Sequence, residues 1–207
     1  MLKVKRLGYA VFETRDLDRQ VAHFTNVIGL VDVGREGSRV HLASRSGQLA
    51  VVVEEGSMSR CKRLGLEVSP GIELASTAQF LGAMGIAHAA ASDSLPGISK
   101  LLSLSDAQGT AIDLFGGWGF LDAPPGDVGA AALKLGHIAF FCNEPQRMVD
   151  FYKRVLGFRI SDWIGDYFAF MRCGADHHAV NFLKGAAESG VAQCAVTVAG
   201  SVEADLR

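Results

Sequence analysis

Apolar residues alternate with period two in Leu7-Gly-Tyr-Ala-Val-Phe12 and again in Leu135-Gly-His-Ile-Ala-Phe140. Each run is followed by a polar turn and then by apolar residues at helical spacing, which predicts helices over Leu17–Ile28 and Pro145–Leu156. Both helical patterns end on a glycine, Gly29 and Gly157, the residue best able to take the left-handed conformation at a helix C-terminus. Asn143, ahead of Glu144-Pro145, reads as an N-cap with proline in the first turn. Two weaker copies occur. Leu64-Gly-Leu-Glu-Val68 leads into a helical pattern over Glu73–Met84, and Val191–Val198 leads into Ser201–Arg207, which reads as a helix start.

Short alternating runs follow each helix: Val40–Ala43 and Leu49–Val53 after the first, Leu101–Leu104 and Thr110–Phe115 after the second. After the third come Phe158–Ile160, Tyr167–Met171 and His178–Leu183. Each unit therefore reads as a strand, a helix and about three strands, so the fold class is α+β with repeated βαβββ modules. The residues Tyr9, Leu66, His137 and Gln193 mark equivalent points in the four copies, at gaps of 57, 71 and 56. The longer middle gap holds Pro124-Pro125 and several glycines, a linker signature. The expected organisation is an N-terminal module pair over 1–116, a linker over 117–133, and a C-terminal domain over 134–207.

Composition narrows the function classes. Hydrophobic residues make up 49% of the 207 and charged ones 20%, the make-up of an ordinary globular protein. A net charge of -2 gives no electrostatic case for nucleic acid or an anionic membrane, and Lys3–Arg6 and Arg60–Arg63 read as solvated basic clusters. No apolar run approaches the roughly 20 residues that span a bilayer, and the N-terminus enters a strand pattern without a signal-like apolar core. A cytoplasmic location is the default expectation. The four cysteines, Cys61, Cys142, Cys173 and Cys194, form no Cys-x-x-Cys pair, which argues against a zinc ribbon or a thioredoxin-type motif. Cys142 and Cys173 fall in apolar stretches and read as reduced core residues.

The text from Leu135 to Leu183 resembles one family. Leu-Gly-His-Ile-Ala-Phe-Phe, Phe-Tyr-Lys-Arg-Val-Leu-Gly-Phe, Ser-Asp-Trp-Ile-Gly-Asp-Tyr-Phe-Ala-Phe-Met-Arg-Cys and Asp-His-His-Ala-Val-Asn-Phe together resemble the vicinal oxygen chelate superfamily. Within it they look most like the type I extradiol ring-cleavage dioxygenases of the dihydroxybiphenyl dioxygenase kind. The resemblance implies the glyoxalase/bleomycin resistance/extradiol dioxygenase fold and a non-catalytic N-terminal pair. It implies a C-terminal pair that holds non-haem Fe(II), in some members Mn(II), on two histidines and a carboxylate, with open positions for a catechol and O₂. Carried over by position, His137 matches the first metal ligand and His178 the acid/base histidine beside the catechol. Gln193, a neutral oxygen donor, stands at the second ligand position. The sequence shown ends at Arg207, inside the expected fourth helix, so the resemblance implies a truncated fourth module without its carboxylate.

Around these positions, Asn181 lies three residues past His178, and Trp163, Asp166, Tyr167 and Phe168 are candidates to line a pocket for a flat aromatic ligand. His177 would face away from His178 on a regular strand. Asp176 either orients an imidazole or forms a turn. Asp113, at the carboxylate-equivalent point of the second module, reads as a relic or a hydrogen-bonding residue. His23, His41 and His88 are assigned no chemistry. Three functions stay open: an extradiol dioxygenase or part of one, a metal-free binder of a small aromatic on the same fold, and a degenerate paralogue. An incomplete fourth module leaves a strand edge exposed, which favours a homo-oligomer.

Overall fold

The computed structural model describes residues 2–122, 128–186 and 190–198. Three βαβββ modules follow one another. The first is β1 (Val4–Thr14), α1 (Leu17–Asn26), β2 (Val31–Glu36), β3 (Arg39–Ala43) and β4 (Leu49–Glu55). The second is β5 (Arg60–Val68), α2 (Leu74–Ala83), β6 (His88–Leu95), β7 (Ile98–Ser105) and β8 (Ala111–Phe115). The third is β9 (Ala132–Cys142), α3 (Pro145–Leu156), β10 (Arg159–Ile164), β11 (Phe168–Arg172) and β12 (Val180–Lys184), and β13 (Val191–Val198) opens a fourth. The α+β fold of repeated modules is therefore as expected. The predicted helix over Ser201–Arg207 and the prolines at 124–125 lie outside the described residues.

In every module the first strand pairs in parallel with the last: β1 with β4, β5 with β8 and β9 with β12. The first strands of adjacent modules then pair antiparallel, β1 with β5 and β9 with β13. Modules one and two thus share an eight-stranded sheet ordered β2-β3-β4-β1-β5-β8-β7-β6, and the third makes a five-stranded sheet ordered β10-β11-β12-β9-β13. A parallel return needs a crossover, and the helix in each module supplies it while covering one sheet face.

The helices bury what their spacing predicts. Met148, Val149, Tyr152, Val155 and Leu156 form one stripe of α3, and Tyr152 packs edge-on against Phe182 of β12, their ring centroids 4.9 Å apart. This core is continuous with those of the first two modules: Leu2, Val4, Leu64, Leu114, Phe158 and Phe182 belong to one apolar cluster. The Tyr152 hydroxyl donates to Asp106 Oδ2 at 3.3 Å, and Gln108 Nε2 donates to the Phe141 carbonyl at 3.1 Å, tying the second module to the third.

Three local expectations change. β2 and β6 are strands that the apolar pattern did not reveal. They form the two outer edges of the larger sheet, and β2 is mostly exposed, so little burial imposed alternation on it. Asn143 is not the cap of α3: Glu144 occupies the N-cap position without a side-chain cap bond, and Pro145 follows at the first helical position. Among the three helices of the described residues only α1 has a side-chain cap, Asp16 Oδ1 accepting from Arg19 N at 3.1 Å.

At the other end of α3 the glycine expectation holds. Gly157 has φ +73°, and a Cβ there would lie 2.6 Å from the Leu2 carbonyl oxygen. Gly157→Ala combines a left-handed backbone with that clash and is expected to cost about 2 kcal/mol or more. Urea unfolding checks this through a lowered midpoint at unchanged slope.

Candidate functional site

The third module turns one sheet face to α3, and the candidate residues lie on the other. Ile138, Phe140, Val180, Phe182, Ala169 and Met171 are buried in the core on the helix side. Strand alternation sends their neighbours to the opposite face. There, register aligns Phe170 of β11 with Asn181 of β12, Asn181 with Ala139 of β9, and Ala139 with Gln193 of β13. His137 joins this row: its Nε2 donates to Gln193 Oε1 at 3.3 Å.

His178 completes the cluster from a position that the sequence placed differently. It sits in the loop before β12, not on the strand, so strand alternation does not separate it from His177. The His137 and His178 rings lie 4.2 Å apart between centroids, and the Nδ1 atoms of His177 and His178 are 2.9 Å apart, one donating and the other accepting. Burial, then the neighbouring His137 and His177, lower the pKa of His178, with Asp176 acting weakly the other way. The neutral imidazole is favoured.

Phe170 closes one side, edge-on to His178 at 5.3 Å and 4.3 Å from the Phe168 ring. Sequence reasoning named Phe168 but passed over Phe170 and set His177 aside. Period two along β11 puts Phe170 on the Phe168 face, so that signal was present. The His177 contact depends on the loop and left no trace in the pattern.

Trp163 and Asp166 are not brought to this cluster. Trp163 pairs with Ala169 and so packs toward the core, and both residues line a surface cleft with Glu144, Pro145 and Lys184 beside the start of α3. Tyr167 is exposed in the turn before β11, where its carbonyl accepts from Lys184 N at 2.7 Å. Asp176 pairs with Lys134 at 2.5 Å on the surface.

Asn181 differs from its neighbours. It is completely buried, and among the described residues neither Oδ1 nor Nδ2 has a hydrogen-bond partner. Native interiors rarely leave such an amide unpaired.

The N-terminal pair forms an equivalent cup that is filled. Tyr9, Val11, Val52, Leu101 and Phe115 pack together there, and Trp118 from the following segment stacks on Phe115 at 5.1 Å. The Tyr9 hydroxyl donates to Asp113 Oδ2 at 2.6 Å, while Arg63 and Ser103 bond to Asp113 Oδ1. Burial first, then Asp113, push the pKa of the Tyr9 phenol up. The two ligand-equivalent positions Tyr9 and Asp113 therefore meet, with a guanidinium supplying the positive charge. Leu66 does not join them. The register shifts between Leu7 and Tyr9, so Gly65 stands opposite Tyr9 and Leu66 enters the shared core.

A cleft of about 250 Å³ at the margin of this cup is lined by Arg39, Glu54, Lys62 and Arg63. Burial alone would raise the pKa of Glu54, but Lys62 and Arg39 outweigh it and hold the carboxyl below its usual range. A carboxylate with a depressed folded pKa adds stability above the ordinary carboxylate range and loses it as pH falls through the lowered value. Glu54→Gln is therefore expected to flatten the acid limb of stability against pH, measured by urea unfolding across a pH series.

A two-histidine, one-carboxylate metal site does not fit the residues described. His137 meets an amide oxygen where a second imidazole is needed, and no group of three or more His, Cys, Asp or Glu able to hold a metal occurs among the described residues. Replacing the amide tests this donor set. Gln193→His is expected to raise Fe(II) or Zn(II) affinity about tenfold, or ~1.4 kcal/mol, read by equilibrium dialysis with metal analysis.

Comparison with known proteins agrees with this architecture. Residues 134–201 match the model described as the Glyoxalase/Bleomycin resistance protein/Dioxygenase superfamily. The biphenyl-2,3-diol 1,2-dioxygenase of Paraburkholderia xenovorans (strain LB400) is 26% identical over 199 residues, covering 86% of this chain and 66% of the relative. This chain thus spans just under two thirds of that relative's length. The iron-dependent extradiol dioxygenase of Rhodococcus jostii (strain RHA1) is 22% identical over 228 residues, covering 99% of this chain and 76% of the relative. The crystal structure of the 2,3-dioxygenase LapB from Pseudomonas sp. KL28 superposes with a TM-score of 0.82 at 18% identity, covering 97% of this chain and 77% of that one. By its module order, its sheet topology and these similarities, the chain has the fold of the glyoxalase/bleomycin resistance/dioxygenase superfamily, with extradiol dioxygenases among its relatives.

Proposed function

We propose that the open face of the third module binds a catecholic aromatic and that the chain is, or is part of, an extradiol dioxygenase-like protein. The observation that carries this reading is the His137–His178 pair, 4.2 Å apart and walled by Phe170 on the face away from α3. A flat ring can lie against the phenylalanine edge while its hydroxyls reach the imidazoles. His178, favoured as the neutral base, is the group to accept a hydroxyl proton, and His137 is a second hydrogen-bonding partner. The names of the relatives, biphenyl-2,3-diol dioxygenase and iron-dependent extradiol dioxygenase, support the catechol and add iron as the metal of such chemistry. The residues described here bind and orient the diol. They do not themselves complete the metal site, so no ring-opening step is assigned to them.

One observation favours the second reading, a metal-free binder: His137 is already engaged by the neutral amide of Gln193. A single titration series separates the two. Catechol is expected to bind saturably and resorcinol, whose hydroxyls are not adjacent, to bind more weakly. His178→Ala should weaken catechol binding about tenfold, the loss of one hydrogen bond to a diol. A yellow ring-fission product after anaerobic Fe(II) loading and admission of O₂ favours the dioxygenase. Catechol binding that survives a chelator, without turnover, favours the binder. Absence of saturable catechol binding would sink both.

A further inference from the structure

The buried amide of Asn181 asks for a partner that the described residues do not provide. We propose that Asn181 is a specificity-determining residue that reads a polar substituent on the ring edge remote from the two hydroxyls. The preferred ligands are then catechols bearing a carbonyl, carboxamide or further hydroxyl, rather than catechols with an apolar substituent. This inference rests on the catechol reading above.

Asn181 stands beside Ala139, on the face that carries His137, and Ala139 is two residues further along β9 than His137. Two residues along a strand span roughly 7 Å, about the reach of a substituted benzene ring. A ring whose diol meets His137 and His178 therefore extends its far edge toward Asn181, with Phe170 on the adjacent strand beside it. Among the described residues no hydrogen-bond partner satisfies the Asn181 Oδ1 or Nδ2, although the residue is completely buried. Its cross-strand neighbours Phe170 and Ala139 have no polar side-chain atom to offer. An amide presents a donor and an acceptor side by side, which a carboxamide answers with one of each. An apolar substituent would leave both unanswered, and a site built to hydrogen-bond a polar group discriminates against ligands that lack it.

The test compares two probes by titration calorimetry on the full chain: a catechol carboxamide, with the amide para to one hydroxyl, and a phenylcatechol. The wild-type protein is expected to favour the carboxamide by about tenfold or more. Asn181→Leu, of similar size, should abolish or invert that preference while leaving the thermal midpoint equal or higher, because it removes an unpaired buried amide. Asn181→Ala is the second variant if the leucine disturbs the sheet. Equal binding of both probes by the wild type overturns the inference and leaves the catechol reading standing, as does a preference that survives both substitutions. A fall in midpoint with selectivity unchanged assigns Asn181 to structure and overturns it too. Failure of both probes to bind the wild type overturns the inference and the catechol reading together.

Discussion

The pairing of β9 with its two neighbours is the constraint on which the site depends. β12 lies parallel to β9 on one side and β13 antiparallel on the other. The parallel partner requires a crossover, so α3 must cover one face, and only the other face is left for chemistry. With both registers set, Phe170, Asn181, Ala139 and Gln193 form a row across four strands, and His137 reaches Gln193 within it. A slip of one residue in the β9–β12 pairing would turn Asn181 into the helix core and Phe182 out of it.

The same frame occurs twice and is used in opposite ways. In the N-terminal pair, a tyrosine and an aspartate at the ligand-equivalent points bond to each other, Arg63 neutralises the carboxylate, and aromatic packing fills the cup. Tyr9 and Asp113 have thus found partners, although His41, paired with Val52 on the same face, has an Nε2 without one among the described residues. In the third module His137 bonds to Gln193 and His178 to His177, while the buried amide of Asn181 has no hydrogen-bond partner among the described residues. Since an unpaired buried amide costs stability, its presence fits a site that trades stability for recognition.

Much of this was legible in the chain. The repeat of Leu-Gly-x-Ala/Ile text, the glycine after α3 and the apolar stripe of α3 predicted the modules, because burial against a sheet imposes its period on sequence. The edge strands β2 and β6 were not legible, since an exposed edge imposes no such period. The N-cap of α3 was misplaced by one residue: Asn143 has the right chemistry, yet the helix begins around Pro145 and leaves Glu144 at the cap.

His137 and His178 were candidates through the family resemblance of the third module, and Asn181 through its spacing from His178. That determined which groups were available to the site and that the second ligand position holds an amide. Only the tertiary structure decided which of them meet. It drew His177 onto His178 through a loop, turned Trp163 to the opposite face, and placed Phe170 beside the histidines. It also left Asn181 without a partner among the described residues, a fact no sequence states. A residue's own chemistry is written in the chain, but whether its hydrogen bonds are answered depends on neighbours that only strand register and folding bring within reach.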